Sequence, residues 1–414
     1  MLDYNKFTEF AIRFANQMKT VRQFRKKWIL LTTYYKAKQL ILADRILDHA
    51  YLGVKDGKIC EITQTMPSSE KADVKDYSQA IISAGLVDTH IHGYHQADVM
   101  DNSEEALKTI SQGILEMGVT SWLATTLTSS TEALNDVCET IGNSYQRMPG
   151  AKIQGIFLEG PYFTEKFKGA QNDKYMSDPS IDQLKYWHDV SGHFIKKIAI
   201  APERQGVEEF IQAAKDLGIY VALGHSDATL AQAQTAVNAG ANIFVHVYNG
   251  MRGLHHREPG MVGAALTIPN VFAELIADGH HVHPMAARVV AKMRGSQETV
   301  LITDCMRAGG IGDGDSYLGE LPVMVKDGQA RLVEGGNLAG SVLNLMDGVT
   351  NMVKWDNATL ADALRMASFA PAKSVGLEEV CGQLKVGMPA DFIVLSEQGQ
   401  LQATYVDGKC LFQR

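Results

Sequence analysis

Eight short, β-rich apolar segments alternate with helical patterns through the middle of this chain, and that alternation limits the folds open to it. The segments lie near residues 81–90, 119–126, 152–159, 196–201, 219–225, 242–248, 271–278 and 299–304. Helical spacing of apolar residues fills most of the gaps, most clearly in Glu104–Met117, Glu132–Tyr145, Val207–Leu217, Leu230–Ala239 and Pro284–Met293. Strands that alternate with helices form a parallel sheet, so we predict an α/β fold closed into a (β/α)8 TIM-like barrel. A doubly wound open sheet is the alternative, although no Gly-x-Gly-x-x-Gly turn follows the first strand.

Both ends of the chain have the pattern of small antiparallel β structure. Asp56-Gly57 separates two apolar runs near residues 51–62, and Asp407-Gly408 lies between similar runs near the C-terminus. An Asp-Gly pair between apolar runs predicts a tight hairpin turn. Each end is too short to be stable alone, so we predict that the two pack into one small β-sandwich domain. The predicted boundaries are 28–82 with 379–414 for the β domain and 83–378 for the barrel.

Residues 1–27 differ from the rest of the chain. Apolar residues recur there at helical spacing with lysines and arginines between them, which predicts a basic amphipathic extension. A targeting segment is the alternative, but Asp3 and Glu9 are present and serine is absent.

Composition excludes several classes of partner. The net charge of −8 argues against nucleic acid or an anionic membrane, and no apolar run reaches the ~18 residues of a membrane span. The five cysteines are odd in number and form no Cys-x-x-Cys pair, which is typical of reduced thiols. We therefore predict a cytoplasmic protein.

Residues able to bind a metal close five of the eight predicted strands. His90 and His92 end the first strand, and alternate residues of a strand point to the same face. The other strand-ending residues are Glu159, His225, His246 and Asp304. One such residue alone is more often a core histidine or a helix cap. Because chemistry in a barrel lies at the C-terminal ends of the strands, the six together predict a divalent-metal site.

Six candidate ligands exceed the four that one zinc ion needs. Two ions bridged by Glu159 fit this surplus, and one ion with spare residues around it is the alternative. The two groups would be His90, His92 and Asp304 around one ion, and His225 and His246 around the other. Zinc, iron, manganese and cobalt all suit these ligands. A metal generates hydroxide from bound water for attack on a carbonyl, and we expect Asp304 to act as general base and then as general acid.

The motifs around these residues resemble the N-acetylglucosamine-6-phosphate deacetylase family of the amidohydrolase superfamily. The resemblance runs from about residue 35 to the C-terminus. The segments that carry it, besides His90-Ile91-His92, are Phe157–Tyr162, Leu223–Ala228, His246–Met251, His256–Gly260, Ala277–Val282 and Leu338–Ser341.

The resemblance implies an enzyme that hydrolyses N-acetyl-D-glucosamine 6-phosphate to D-glucosamine 6-phosphate and acetate. It implies that Glu159, His225 and His246 are the metal ligands always needed, and that Asp304 is the catalytic acid and base. The substrate-binding positions that it implies are Ala170, Asn249, Gly250, Arg257, His281, Leu338, Ala339 and Gly340. Of these, Arg257 and His281 fall on phosphate-binding positions, and a homodimer is implied as well.

The sequence departs from the family pattern at Gly250, where the family often has alanine, and in its basic start. Some members lack the two histidines of the first strand, so occupancy of that side of the site stays open. Arg257 has an alternative as a surface residue paired with Glu258.

Three other functions remain as alternatives. The first is deacetylation of the epimer N-acetylgalactosamine 6-phosphate, because a few loop contacts decide between epimers. The second is hydrolysis of a cyclic amide, which predicts a lysine ligand at the end of strand four, where residues 198–203 supply none. The third, a barrel that serves only as a scaffold, is disfavoured because no candidate ligand is missing.

Overall fold

The structure, a computed structural model, describes residues 32–66 and 72–414, so the predicted extension at residues 1–27 lies outside it. The strands are β1 (Thr32–Ile41), β2 (Ile46–Lys55), β3 (Lys58–Thr63), β4 (Ala72–Ala84), β5 (Leu86–Ile91), β6 (Gly93–Tyr94), β7 (Ala97–Asp98), β8 (Val119–Thr125), β9 (Lys152–Glu159), β10 (Ile195–Ile200), β11 (Tyr220–Leu223), β12 (Ile243–Phe244), β13 (Phe272–Ile276), β14 (Thr299–Ile302), β15 (Gly314–Leu318), β16 (Leu321–Lys326), β17 (Gln329–Leu332), β18 (Phe392–Leu395), β19 (Leu401–Val406) and β20 (Lys409–Gln413). The α-helices are α1 (Glu104–Gly113), α2 (Thr131–Ser144), α3 (Ile181–Val190), α4 (Val207–Asp216), α5 (Leu230–Ala239), α6 (Gly260–Thr267), α7 (Pro284–Glu298), α8 (Leu345–Lys354), α9 (Leu360–Met366) and α10 (Phe369–Ser374).

Eight strands form one parallel sheet in the order β14-β13-β12-β11-β10-β9-β8-β5. Beyond the end of β14, hydrogen bonds connect the two edges of this sheet. The amide of Asp304 donates to the carbonyl of His90 at 2.8 Å, and the amide of His92 donates to the carbonyl of Cys305 at 2.9 Å. The sheet therefore curves into a nearly closed barrel, and the predicted fold is confirmed.

The barrel interior is packed with side chains from successive strands. Val87, Leu123, Phe157, Ala199 and Ala222 are buried there against residues from α10 and the segment after it. A larger core lies between the outer face of the strands and the helices. Because the interior is filled below the strand ends, space for a ligand is left at the C-terminal mouth.

The two ends of the chain meet in a seven-stranded sheet of order β20-β19-β18-β4-β1-β2-β3. Its central strand β4 pairs in parallel with β1 and antiparallel with β18, which joins N-terminal strands to C-terminal ones. Phe392 and Tyr405 stack at the centre of a hydrophobic core separate from that of the barrel, and Tyr35 packs edge-on against both rings. The predicted β domain made from both termini is confirmed.

Both predicted hairpins are present. Asp56 and Gly57 have φ of 53° and 76°, and Asp407 and Gly408 have φ of 48° and 71°. Two successive residues of positive φ make the turn whose twist matches that of the flanking strands.

Two predicted strands have different bounds in the structure. The segment near 81–90 divides at Gly85, because its first half belongs to β4 of the terminal sheet and its second half is β5 of the barrel. The segment near 242–248 contributes only β12, since the backbone turns at His246, where φ is 29°. A three-stranded antiparallel sheet, β15-β16-β17, follows β14 and was not predicted.

Among the residues that the structure describes, no helix combines the length and apolar character needed to cross a membrane.

Candidate metal centre and active site

The six predicted metal ligands lie together at the mouth of the barrel. His90 is in β5, His92 follows that strand directly, and Glu159 is the last residue of β9. His225, His246 and Asp304 each come two residues after the end of their strand, with φ of 46°, 29° and 50°. Such left-handed backbone is uncommon for residues other than glycine and clusters at functional sites. The chain thus turns sharply at the positions from which these side chains enter the site.

Glu159 is the centre of the cluster. Its Oε1 atom lies 3.2 Å from Nε2 of His90, 3.3 Å from Nε2 of His225 and 3.2 Å from Nε2 of His246. Its Oε2 atom lies 3.3 Å from Nε2 of His92. One carboxylate therefore faces all four imidazoles, as a bridging ligand would.

Asp304 lies on the side of the two histidines from the first barrel strand. Its Oδ1 atom is 3.2 Å from Nε2 of His92 and 3.6 Å from Nε2 of His90. On the other side, the Nε2 atoms of His225 and His246 are 3.1 Å apart. Two groups of ligand atoms are close enough to hold an ion, His90, His92 and Asp304 in one and His90, Glu159 and His246 in the other. His90 belongs to both.

Each imidazole presents Nε2 to the centre because an acceptor lies behind its Nδ1 atom. Nδ1 of His92 is 3.3 Å from the carbonyl oxygen of Thr125, and Nδ1 of His225 is 3.0 Å from that of Phe167. Nδ1 of His246 is 3.2 Å from the carbonyl oxygen of Asn249. Since a carbonyl oxygen only accepts, each of these Nδ1 atoms carries a proton, and Nε2 is the ring nitrogen that faces the carboxylates and would face a metal ion.

His90 is held by a side chain instead of a carbonyl. Its Nδ1 atom lies 3.0 Å from Oε2 of Glu274 in β13, and both residues are fully buried. The other carboxylate oxygen of Glu274 pairs with the ammonium of Lys197 in β10.

The charged side chains of the site alter one another's pKa. Burial alone would lower the pKa of His90, but the carboxylates of Glu159 and Asp304 outweigh it and raise the pKa to about 9. Burial would also lower the pKa of His92, but the same two carboxylates outweigh it and raise that pKa to about 10. Burial would raise the pKa of Glu159, yet the surrounding histidines hold it well below the usual value. Buried carboxylates thus require positive charge beside them.

The donor set fits a divalent transition metal. Four imidazole nitrogens and two carboxylates meet within a few ångströms, and they are the ligand types that zinc, iron, manganese and cobalt accept. Nε2 of His90 is buried without a hydrogen-bond partner among the described residues, although carboxylate oxygens are near it. A metal ion would use this nitrogen and supply the positive charge.

A cavity of about 440 Å³ opens above the cluster and reaches most of the predicted substrate-binding residues. Those that line it are Ala170, Asn249, Gly250, His281, Leu338 and Gly340. Ala339 is buried beside them, with its amide bonded to the carbonyl of Ala330. The ring of His281 is oriented by Asp278, whose carboxylate lies 2.6 Å from its Nδ1 atom.

Arg257 is not among the residues that line this cavity. Its guanidinium is exposed, and Nη1 lies 2.8 Å from Nε2 of His256. Glu258 does not pair with it, since its Oε1 atom accepts from the amides of Leu230 and Gly260. Among the residues that the structure describes, the lysine and arginine side chains that line the cavity are Lys166, which pairs with Asp227, and Arg331 of β17.

Several residues around the site were not found from the sequence. Gln171 donates to Oε2 of Glu159 at 2.6 Å and accepts from the amide of Thr128, so it orients the central carboxylate. No local pattern distinguishes this glutamine. The sequence did contain a signal for Lys197 and Glu274, because each is a charged residue within an apolar strand. Both side chains face the interior of the barrel.

The comparison with protein families identifies the chain. A model of the Amidohydrolase family matches residues 81–411. The chain belongs to this family. As an amidohydrolase it is an enzyme, a hydrolase, and the resemblance seen in its motifs is confirmed.

Individual relatives of this amidohydrolase are similar over nearly its whole length. The N-acetylglucosamine-6-phosphate deacetylase of Vibrio furnissii is 39% identical over 379 residues, which cover 91% of this chain and 94% of that protein. The N-acetylgalactosamine-6-phosphate deacetylase of Escherichia coli O157:H7 is also 39% identical, over 380 residues that cover 92% and 99%. The two names differ in the epimer of the sugar.

Solved structures agree with these relatives. A mutant N-acetyl-D-glucosamine-6-phosphate deacetylase from Mycobacterium smegmatis, in complex with N-acetyl-D-glucosamine 6-phosphate, superposes with a TM-score of 0.87 at 27% identity. The enzyme of the same name from Pasteurella multocida gives a TM-score of 0.87 at 26% identity. Each match covers 92% of this amidohydrolase and 100% of the solved chain.

Proposed function

We propose that this amidohydrolase removes the acetyl group from N-acetyl-D-glucosamine 6-phosphate and releases acetate and D-glucosamine 6-phosphate. The observation that carries the proposal is the convergence of four imidazoles and two carboxylates on the floor of a cavity lined by the residues expected to bind substrate. The relatives of similar length and their names support the choice of substrate.

One or two divalent metal ions would be held by this cluster. Glu159, His225 and His246 would hold one, and His90, His92 and Asp304 would hold the other. When bound, such a metal supplies Lewis-acid activation of water and of an amide carbonyl.

Asp304 is proposed to move the proton. Burial would raise the pKa of its carboxyl, but the charges of His90 and His92 outweigh burial and lower it. The ionised carboxylate can therefore take a proton from the attacking water and deliver it to the sugar nitrogen as the C–N bond breaks. A C–O bond forms on the acetyl carbon, so the products are acetate and the free amine.

The walls of the cavity would orient the sugar. Asn249, Gly250 and the segment Leu338–Gly340 are proposed to contact the sugar or acyl group, and Ala170 lies at another substrate position. His281 is proposed to bind the phosphate from the wall of the cavity. Arg257 is proposed to bind it as well, from outside the wall that its own chain builds, because a guanidinium forms paired hydrogen bonds with phosphate oxygens.

The galacto epimer is the second candidate substrate. The relative from Escherichia coli O157:H7, named for N-acetylgalactosamine 6-phosphate, is as similar to this chain as the gluco enzyme of Vibrio furnissii. The reaction and the site would be the same for both.

Acetate release from the two epimers, measured side by side with the metal content of the same sample, tests the proposal. We expect faster release from the gluco form by a metal-containing protein, and loss of activity after chelation. Faster release from the galacto form would mean that N-acetylgalactosamine 6-phosphate is the substrate and that the proposed reaction is unchanged. No release from either epimer by metal-loaded protein would reject the proposed function.

A cytoplasmic location and a homodimer remain part of the proposal. Size-exclusion chromatography with light scattering tests the second.

A further inference from the structure

A buried ion pair lies beneath the cluster, inside the barrel. Lys197 of β10 and Glu274 of β13 are both 0% exposed, and the ammonium contacts one carboxylate oxygen. Several inward positions of the same barrel carry apolar residues, among them Val87 and Ala222. An ion pair at such a position costs desolvation energy that well-packed apolar residues avoid. Fold stability therefore does not explain why it is present.

The ion pair contacts the metal-binding cluster through His90. Oε2 of Glu274 lies 3.0 Å from Nδ1 of His90, while Oε1 is occupied by Lys197. Lys197 makes two further contacts, at 3.4 Å from the carbonyl oxygen of Thr89 and at 3.7 Å from the ring centre of Phe157. These contacts occupy the ammonium, and Lys197 lies within β10 and not at its end, where a cyclic-amide hydrolase would have its lysine ligand.

His90 occupies a special place among the four imidazoles. Its Nε2 atom belongs to both groups that could hold a metal ion, and it has no hydrogen-bond partner among residues 32–66 and 72–414. Its Nδ1 atom is also the one in the cluster that faces a side-chain carboxylate, since the other three face backbone carbonyls. A backbone carbonyl is fixed by the path of the main chain, but a side chain must itself be held in place.

We propose that Glu274, anchored by Lys197, is a positioning residue that holds His90 in the orientation and tautomer needed to bind metal. A carboxylate only accepts hydrogen bonds, so it keeps the proton on Nδ1 and leaves Nε2 free. Partners of this kind behind a metal-binding histidine contribute about 10- to 100-fold in metal affinity. The inference rests on the metal site within the proposed function, and it adds two residues that are not ligands.

Two matched double variants of the full chain test this proposal. Lys197→Met/Glu274→Gln removes both charges and keeps a side-chain oxygen that can accept from Nδ1 of His90. Lys197→Met/Glu274→Leu removes the charges and the acceptor together, with side chains of similar size. Each protein is stripped with a chelator, and its affinity for Zn²⁺ is measured by competition with a chromophoric chelator. Thermal unfolding and circular dichroism establish that both are folded.

We expect the leucine variant to bind Zn²⁺ about 10- to 100-fold more weakly than the glutamine variant. Equal affinities in the two folded proteins would overturn the proposal, because the acceptor would then have no effect on the metal. If the leucine variant does not fold, Lys197→Met/Glu274→Met takes its place, since methionine adapts to irregular space.

The assay for acetate release by the unaltered protein is independent of this comparison. If the variants differ in Zn²⁺ affinity as expected but the unaltered protein releases no acetate, the role of Glu274 is supported and the proposed function is rejected.

Discussion

At the scale of single residues, the site depends on atoms that are close in space and distant along the chain. Glu159 faces four Nε2 atoms, and three of those imidazoles are turned by backbone carbonyls behind them. Gln171 fixes the carboxylate itself. Because each ligand atom is oriented before a metal binds, little rearrangement is needed on binding.

The proposed role of Asp304 predicts a separation of metal binding from turnover. Asp304→Asn should keep the ion at Glu159, His225 and His246 but lower kcat by about 10²- to 10⁴-fold, because an amide cannot accept the proton. Steady-state kinetics and metal analysis of one preparation measure both. Full activity in this variant would refute the acid–base assignment.

The proposed phosphate site predicts a change in KM. Arg257→Ala should raise KM for the phosphorylated substrate about tenfold or more, since a charge-assisted hydrogen bond contributes about 1.5–3 kcal/mol. Arg147→Ala, which removes an exposed arginine paired with Glu104, is the control and should leave KM unchanged. An unchanged KM for the Arg257 variant would transfer the role to a cation that lines the cavity, and Arg331→Ala would then be measured.

At the scale of elements, the junction between β4 and β5 determines how the two sheets meet. Gly85 separates the strands, and its amide donates to the carbonyl of Asp391 in the C-terminal part of the chain. A Cβ atom at this position would overlap the side chain of Thr120 in β8. Because Gly85 has no side chain, the junction between β4 and β5 can approach β8 closely.

That close approach predicts a cost for the smallest added side chain. Gly85→Ala should destabilise the protein by about 1–3 kcal/mol, because the overlap forces backbone or side-chain shifts. Denaturant unfolding measures the change, and Thr120→Ala combined with it should recover part of the loss. Gly253→Ala, where nothing lies within 4 Å of the added atom, is the matched control. Equal stability of the two single variants would mean that the junction adjusts freely.

At the scale of the whole molecule, a charged contact links the barrel to the terminal sheet. Nζ of Lys152, at the start of β9, lies 2.9 Å from Asp391 and 2.6 Å from Asp407. Asp391 is only 5% exposed, and burial raises the pKa of its carboxyl. Its charge is therefore costly without the lysine beside it.

Removal of that lysine should weaken the molecule as a whole. Lys152→Met should lower the free energy of unfolding by up to about 3 kcal/mol, because a buried carboxylate loses its partner. Lys108→Met removes an exposed lysine paired with Glu105, and we expect a change within about 0.5 kcal/mol there. Thermal unfolding of both variants measures the two losses of stability. Equal losses would contradict the proposed contribution of Lys152 to the contact between the barrel and the terminal sheet.

The same contact has a defined pH dependence. Burial alone would lower the pKa of Lys152, but Asp391 and Asp407 raise it above the ordinary 10.5. A raised lysine pKa adds stability that is fully present below 10.5 and is lost as the pH rises through the raised value. The difference between the unaltered protein and Lys152→Met should thus shrink above pH 10.5, and a constant difference would exclude this charge as its source.

Periodicity along the chain was sufficient to predict the architecture and most of the cluster. Alternation of strands and helices implies a parallel barrel, and strand ends in a barrel meet at one mouth, so His90, Glu159 and Asp304 could be brought together without a structure. Asp-Gly pairs predicted both terminal hairpins, because the required positive φ is a local property. The roles of these residues stay predictions until they are measured.

Contacts between distant segments were decided only by the tertiary structure. Glu274 orients His90 across 184 positions of sequence, and nothing local to either residue indicates that pairing. Gly85, where one apolar run divides between the two sheets, packs against Thr120 of β8, and Arg257 lies outside the cavity. Neither contact nor position has a local signal in the sequence. The sequence by itself determined which elements form, because their periodicity is local. Only the tertiary structure decided which side chains meet, because the packing energy of the elements comes from contacts between residues that are far apart in the chain.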